Sequence, residues 1–250
     1  VSKDFRKTRS DAPKGFFEFE AAGLSWLAAA GGAKTVPVVA VEPEAIVLQR
    51  LISGPVTAAA AEEFGAALAV THDAGAEAFG SPPDGWQGAG WIGRQRQAMD
   101  PTPTWGAFYA QQRVRPFVEK AVRNGNLDAA GASVVDALCD RIAAGEFDDD
   151  RSPARLHGDL WSGNVQYTDN GVVLIDPAAH GGHPLTDIAM LHLFGAPGLD
   201  RITAAYLEAN PIQQWRELLG LHQLHPLAVH AASHGPSYGA ELVRTAQRYR

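Results

Sequence analysis

The sequence predicts an α+β chain in two lobes: a small helix-plus-sheet lobe over residues 1–52 and a larger, mainly helical lobe over 53–250. Three observations carry this. Between residues 35 and 52 two β-branched runs, "TVPVVAVEP" and "AIVLQRLI", meet at a Glu-Pro turn and read as an antiparallel pair. After Gly54-Pro55 the apolar spacing is helical almost to the C-terminus. One segment of that half, "NVQYTDNGVVLIDP" (164–177), breaks the pattern with two short β-rich runs around Asp169-Asn170-Gly171.

Taken in order, "FFEFEAAGLSWLAAA" (16–30) is the expected helix of the small lobe, stopped by Gly31-Gly32. Residues 57–75 return to helix. The stretch 76–104, with "GSPPDGWQGAGWIG", is too rich in Gly, Pro and Trp for a regular element and reads as a long ordered loop or flap. Helices are expected at 104–124, 129–145, 185–196, 199–210 and 221–248. In 164–177, Asn-Gly tolerates the positive φ of a type I′ turn. Closing the hairpin there sets Asn164 opposite Asp176, or one residue out, with Cβ atoms roughly 5 Å apart.

Composition excludes several functions. A net charge of −7 is the wrong sign for a nucleic-acid or anionic-membrane surface. Cys139 is the only cysteine, so no intramolecular disulfide and no all-cysteine zinc site can form. The longest apolar stretches are alanine-rich and interrupted, short of a membrane span. No signal peptide is visible in a chain that begins "VSKDF", and a cytoplasmic setting is expected. Nothing in the sequence sets the oligomeric state.

The chemistry concentrates in "LHGDLWSGNV" (156–165) and "LIDP" (174–177). Gly158 and Gly163 leave little side chain to bury, so packing does not explain the loop. A carboxylate and an amide at the mouth of a hairpin, Asp176 and Asn164, form a hard oxygen pair suited to Mg²⁺. The Asp-x4-Asn spacing of Asp159 and Asn164 matches the kinase catalytic loop, in which the Asp accepts the substrate hydroxyl proton and the Asn holds a metal. Singly these features are commonplace, since strand-end aspartates form turns. The hairpin links them, and His157-Gly158 ahead of Asp159 sharpens the match.

Phosphoryl transfer also needs a cation for the nucleotide phosphates. Glu20 shares a helix face with Leu24 and Leu27, and a buried carboxylate requires a partner. Lys3, just upstream, is the expected one, against the plain alternative of a frayed terminal lysine and an exposed glutamate. His180 and His183 have a spacing that could suit zinc, but no third ligand follows at a recognisable distance, and a loop-ordering role is preferred. His222, His225, His230 and His234 read mostly as helix-face or core histidines. Trp86, Trp91 and Trp105 read as core or as walls of a sugar site, and Arg113 and Arg115 as solvated or paired.

Together, "LHGDLWSGNV", "LIDPAAHGGH", "DIAMLHLFG", "FFEFEAAGL", "WGAFYAQQRVRP" and "LHQLHPLAVHAASHGPSYG" resemble the fructosamine kinase (ketosamine-3-kinase) family over nearly the whole chain. That family shares a protein-kinase-like fold with aminoglycoside and choline kinases. The resemblance implies ATP and Mg²⁺ as cofactors and phosphorylation of the 3-hydroxyl of a ketosamine, free or protein-bound, with deglycation as the outcome. It implies Asp159 as base, Asn164 and Asp176 as Mg²⁺ ligands, and Lys3 paired with Glu20 on the ATP phosphates. Gln49, Arg50, Leu51 and Ile52 are the implied hinge for adenine, Trp161 the implied wall against the sugar, and His157 and Asp187 the implied braces of the loop.

Two departures stand out. "GHPLTDIAM" places Pro184 and Leu185 where the family reads Arg-Glu, which leaves substrate preference open. With Lys3 as the phosphate lysine, two strands and a nucleotide-covering loop would lie upstream of residue 1, so the chain is expected to be incomplete at its N-terminus. The competing functions are an aminoglycoside- or choline-type phosphotransferase, whose cleft needs several carboxylates such as those of "EEF" and "DDD" (148–150), and a pseudokinase-like binding scaffold.

Overall fold

In the computed structural model, which describes residues 3–249, the chain opens with strand β1 (Asp4–Thr8), helix α1 (Phe16–Ala28) and the short strands β2 (Lys34–Thr35), β3 (Val38–Glu42) and β4 (Ala45–Gln49). The expected antiparallel pair is β3 and β4, and β1 adds to the other edge of β4 with Asp4 opposite Gln49 and Lys7 opposite Ile46. Ile46 and Leu48 are buried against Phe17 and Leu24 of α1, with Val36 and Val173 closing the cluster. The β-branched alternation of β4 therefore supplies the surface on which α1 lies.

The larger lobe begins with α2 (Ala58–Asp73), capped by the Thr57 side chain on Ala60 N–H. The stretch expected as a loop or flap holds a two-stranded hairpin, β5 (Gly90–Ile92) and β6 (Gln95–Gln97). The helix expected at 104–124 is one rod of three parts: α3 (Trp105–Phe108), a π-helical turn (Tyr109–Val114) and α4 (Arg115–Arg123). Arg113 in the π turn, expected to be solvated or paired, is 1% exposed and donates to the Ala98 carbonyl at 2.8 Å. Then follow α5 (Ala129–Ala143), β7 (Ala154–Leu156), the hairpin β8 (Val165–Thr168) and β9 (Gly171–Leu174), and β10 (His180–Gly182) paired with β7. The chain closes with α6 (Leu185–Phe194), α7 (Leu199–Ala209), α8 (Trp215–His234) and α9 (Pro236–Gln247).

Two expectations are corrected here. The helix expected at 221–248 starts at Trp215 and is split at Gly235, whose φ of +121° favours glycine, with Pro236 opening α9. Pro226 lies inside α8, and the carbonyl it leaves unpaired four residues back, His222 O, takes the Tyr109 hydroxyl at 2.9 Å. In the β8–β9 hairpin, Asp169 and Asn170 form the turn, Thr168 pairs with Gly171, and positive φ (+95°) falls on Gly171 without Asn170. A type I′ turn needs positive φ at both central residues, so the turn is of another type.

The hairpin gains a third strand from the small lobe, because β2 runs parallel to β9 with Lys34 opposite Val173. Leu160, Val165, Leu174, Ile188 and Leu191 belong to one buried cluster around the hairpin and the loop that leads into it. Among the described residues no helix is long and apolar enough to cross a membrane.

Candidate active site

The loop between β7 and β8 is held by Asp187 at the start of α6. This fully buried carboxylate accepts the backbone N–H groups of His157 at 2.8 Å and Gly158 at 2.9 Å, and lies 3.2 Å from His72 Nε2. Burial works against its ionisation, yet His72, the nearby His157 ring and the Gly158 amide hold it below the ordinary carboxylate range. His72 Nδ1 in turn meets the Tyr206 hydroxyl at 2.7 Å. His157 Nε2 donates to the Ile175 carbonyl at 2.9 Å, with Nδ1 left to accept Asp159 N–H at 3.3 Å. Gly158 has φ +80°, and a Cβ there would run into the Ala178 carbonyl. The sequence pointed to His157 and Asp187 as braces. His72 and Tyr206 carried no signal, because no sequence pattern relates residues so far apart in the chain.

This scaffold brings Asp159, Asn164 and Asp176 together. In the observed register Val165 faces Leu174, so Asn164 meets Ile175, whose N–H it accepts at 3.2 Å, and Asp176 stands one residue beyond. The amide of Asn164 donates to the Asp159 carbonyl at 2.8 Å and reaches Asp159 Oδ2 at 3.3 Å. Asp176 adopts φ +54°, a left-handed conformation rare outside glycine and Asn/Asp. The Asp159 carboxyl is pushed up to about 7, first by burial and then by the Asp176 charge, against the opposing Asn164 hydrogen bond.

The cation paired with Glu20 is Lys7, which corrects the expectation for Lys3. Lys7 Nζ stands 2.9 Å from Glu20 Oε2 and 2.9 Å from Asp176 Oδ1. Lys3 is exposed, precedes β1, and contributes its carbonyl to Arg50 N–H. Both lysines have the same parity along the strand, but four residues of strand separate them by about 13 Å, and only Lys7 reaches α1. Glu20 is 4% exposed, as its helix face required, and its Oε1 has no hydrogen-bond partner among the described residues. Burial pushes Glu20 up to about 7, with Lys7 opposing and Asp176 reinforcing. Burial also disfavours the Lys7 charge, but Glu20 and Asp176 outweigh it and raise the ammonium above its ordinary value.

Cavities surround this cluster. One, about 430 Å³, is lined by Val36, Leu48, Gln49, Arg50, Leu51 and Lys7, among others. Of the four residues expected as the hinge, Gln49, Arg50 and Leu51 line this cavity, whereas Ile52 does not and is 75% exposed. The N–H groups of Gln49 and Arg50 already bond Pro37 and Lys3 carbonyls. A second cavity, about 610 Å³, is bounded by Asp159, Trp161, Phe194, His230, His234 and Tyr238, with further residues of α6, α8 and the flap. Trp161 is 42% exposed and lies over Gly163, where a Cβ would meet its ring. His230 and His234, one turn apart on α8, stack with centroids 4.9 Å apart, whereas His222 and His225 are core. Their i,i+4 spacing was the signal that the sequence reading passed over.

Other candidates do not join the site. His180 Nδ1 meets the Ala178 carbonyl and His183 Nε2 meets Asp149, so the two rings serve separate local contacts. Asp148 accepts Gly106 N–H, and among the described residues Asp159 is the one carboxylate lining the second cavity. Trp105 is buried and stacks on Tyr109, and Trp86 packs on Phe19 of α1. Trp91 is the exception: packed on Phe16 and Phe19, it also lines a small cavity with Asp159, Lys7 and Asp176.

The donor set suits a magnesium ion. Asp176 is a partly exposed hard carboxylate already drawing the Lys7 ammonium, and Asn164 adds an amide at the same mouth. Carboxylate, amide, lysine and glutamate together have the parts that phosphoryl transfer requires.

Comparison with known proteins agrees. The fructosamine kinase family profile matches residues 2–249. A probable ketoamine kinase of Thermus thermophilus is 32% identical over 240 residues, covering 95% of this chain and 84% of the relative. Mouse ketosamine-3-kinase is 30% identical over 142 residues, 57% of this chain and 46% of its own length. Among solved structures, a "putative fructosamine-3-kinase" of Thermobifida fusca YX-ER1 matches with a TM-score of 0.90 at 42% identity, covering 98% of this chain and 84% of that one. A choline kinase from Cryptosporidium parvum matches with a TM-score of 0.56 at 15% identity, covering 97% and 79%, which shows the shared protein-kinase-like fold alone. With a profile match spanning almost every residue, the chain belongs to the fructosamine kinase family.

Proposed function

We propose that the protein transfers the γ-phosphoryl group of ATP to a hydroxyl of a ketosamine such as fructosamine or ribulosamine, and that Asp159 is the base. The observation that carries this is the position of Asp159. It lines the cavity walled by Trp161 and a smaller one shared with Lys7, Glu20, Asn164 and Asp176, so one carboxylate faces both an acceptor space and a phosphate space. With its carboxyl pushed up to about 7, Asp159 is matched to taking a hydroxyl proton near neutral pH. As that proton moves to Asp159, the hydroxyl oxygen bonds to the γ-phosphorus, and the bond to the bridging oxygen breaks with its electron pair leaving on ADP.

Lys7, oriented by Glu20, binds the phosphates, and the Gln49–Leu51 segment receives adenine. A magnesium ion held by Asn164 and Asp176 would supply charge neutralisation at the phosphates. Trp161 offers an apolar face to the C–H groups of the sugar. The phosphorylated ketosamine then decomposes, so the outcome is deglycation of amines, on free amino acids or on proteins. A cytoplasmic setting belongs to the same proposal, since ATP is the donor.

The acceptor cavity favours a ketosamine over an aminoglycoside or choline. A polycationic substrate calls for several carboxylates, and among the described residues this cavity presents only the carboxylate of Asp159, beside the cationic Arg94, aromatic rings and histidines. The presence of the whole set, Lys7 to Asp176, supports an enzyme over a pseudokinase-like scaffold. An ADP-release screen with ketosamines, aminoglycosides and choline tests the reading. Ketosamine-dependent release supports it, and release with choline or an aminoglycoside in its place rejects it.

A further inference from the structure

The cavities around Asp159 share a boundary at the tip of the β5–β6 hairpin. Gly93 lines both cavities that contain Asp159 and a third, phosphate-side cavity of about 610 Å³. Arg94 lines the acceptor cavity with Asp159 and Trp161, and also the phosphate-side cavity with Lys7, Arg9 and Asp176. A side chain that borders both spaces lies where the transferred group must cross.

The charges of the phosphate-side cavity single Arg94 out. Arg6 is paired with Glu42, Lys7 with Glu20 and Asp176, and Arg9 with Asp11 while it covers the Phe16 ring. Arg94 makes no hydrogen bond or ion pair among the described residues, although its charge is felt at Asp11. It is the one guanidinium there with no such partner to leave before it can bind phosphate. Its support is rigid. Ile92 pairs with Gln95, so Gly93 and Arg94 form a two-residue turn whose φ of +54° at Gly93 suits glycine in the first position. Below the turn Trp91 packs edge-on against Phe16 and Phe19 of α1, and Gln95 is bonded by Lys120. A Cβ on Gly90 would collide with Met99 and Phe19, which leaves the stem no slack.

We propose that Arg94 is a further catalytic residue: its guanidinium donates to the equatorial oxygens of the transferring phosphoryl group, supplied in cis by the flap. Lys7 faces the donor side, Asp159 takes the acceptor proton, and charge spreading over the phosphoryl oxygens in the transition state meets Arg94. The guanidinium fork matches that geometry better than an ammonium does. The inference rests on the kinase reading of the same site.

The test uses the whole chain with Arg94→Ala, Arg94→Lys and, as a control, Arg96→Ala, an exposed residue of the same hairpin outside these cavities. Arg94→Ala should lower kcat about a hundredfold, with KM values for ATP and ketosamine and the melting temperature little changed. Free guanidinium should restore part of that rate, Arg94→Lys should fall between, and Arg96→Ala should match wild type. In calorimetry, Arg94→Ala should bind Mg·ADP normally and lose affinity for Mg·ADP with aluminium fluoride, a mimic of the transferring group. Undiminished kcat in Arg94→Ala would overturn the proposal. So would a loss confined to the KM of acidic ketosamines, which assigns Arg94 to acceptor recognition. A wild-type protein that releases no ADP with any ketosamine fails the kinase reading and the proposal together. An active wild type with an equally active Arg94→Ala fails the proposal alone.

Discussion

The Lys7 ammonium lies 2.9 Å from Asp176 Oδ1, an ion pair between the first strand of the small lobe and the end of the hairpin in the large one. Both groups are partly exposed, so the contact is exchangeable and a nucleotide with its metal can take each partner. Lys7→Ala should therefore lower kcat/KM for ATP about a hundredfold, whereas Lys3→Ala leaves it near wild type. Steady-state kinetics on the two variants distinguish the lysines.

Asp159→Asn should reduce ketosamine phosphorylation at least about a hundredfold while leaving ATP binding nearly intact, because loss of the base acts on the transition state. The same change should stabilise the ligand-free protein at pH 8. A carboxyl held at about 7 favours the protonated form in the fold. Its contribution is fully present below the ordinary carboxylate range and is lost as pH rises through about 7. Melting curves at pH 5 and pH 8 should show the larger gain for Asp159→Asn at pH 8; an equal gain at both would reject the raised carboxyl.

Asp176→Asn keeps a residue type tolerated at φ +54° while removing the charge. Calorimetric titration with ATP should then show binding that no longer depends on Mg²⁺. His183→Ala should retain that dependence, since His183 is bonded to Asp149 away from the cluster.

For Trp161→Ala, the ketosamine KM should rise and kcat fall, because a loosely held acceptor loses alignment. ATP hydrolysis without acceptor and the melting temperature should change little, given an indole 42% exposed. Parallel losses in hydrolysis, transfer and melting temperature would assign the ring to the core.

Asp187→Ala should cost on the order of 3–5 kcal/mol in stability, since it strands the His157 and Gly158 amides and the His72 ring in the interior. Denaturant unfolding measures it directly.

Much of the site was legible because local chemistry wrote it. The Asn-Gly turn located the hairpin and brought Asn164 within one residue of its true register against Asp176. The apolar face of α1 announced a buried Glu20. What escaped depended on distances the sequence does not encode. Lys3 and Lys7 have the same parity in the sequence, so alternation cannot choose between them, and only the placement of α1 does. The Gly93-Arg94 turn lies between runs of three residues, too short for alternation to register against the surrounding glycines and tryptophans. The break at Gly235 was hidden by apolar periodicity that resumes directly in α9.

Helix α1, which carries Glu20, is fastened to the large lobe along its length. At its start, Phe16 and Phe19 meet Trp86 and Trp91 edge-to-face. Midway, Gly23 leaves room for only the shortest approach, since a Cβ there would lie 3.2 Å from Pro177 and 3.1 Å from Ala179. Near its end, the Arg155 guanidinium donates to the Trp26 carbonyl at 2.6 Å and lies over the Trp26 ring. Swinging α1 outward would break all three attachments at once, with each aromatic pair alone worth about 0.5–1.5 kcal/mol. A helix anchored in this way holds Glu20 in place through contacts with three separate segments of the large lobe. Moving Glu20 away from Lys7 by a shift of α1 therefore carries the cost of all three attachments together.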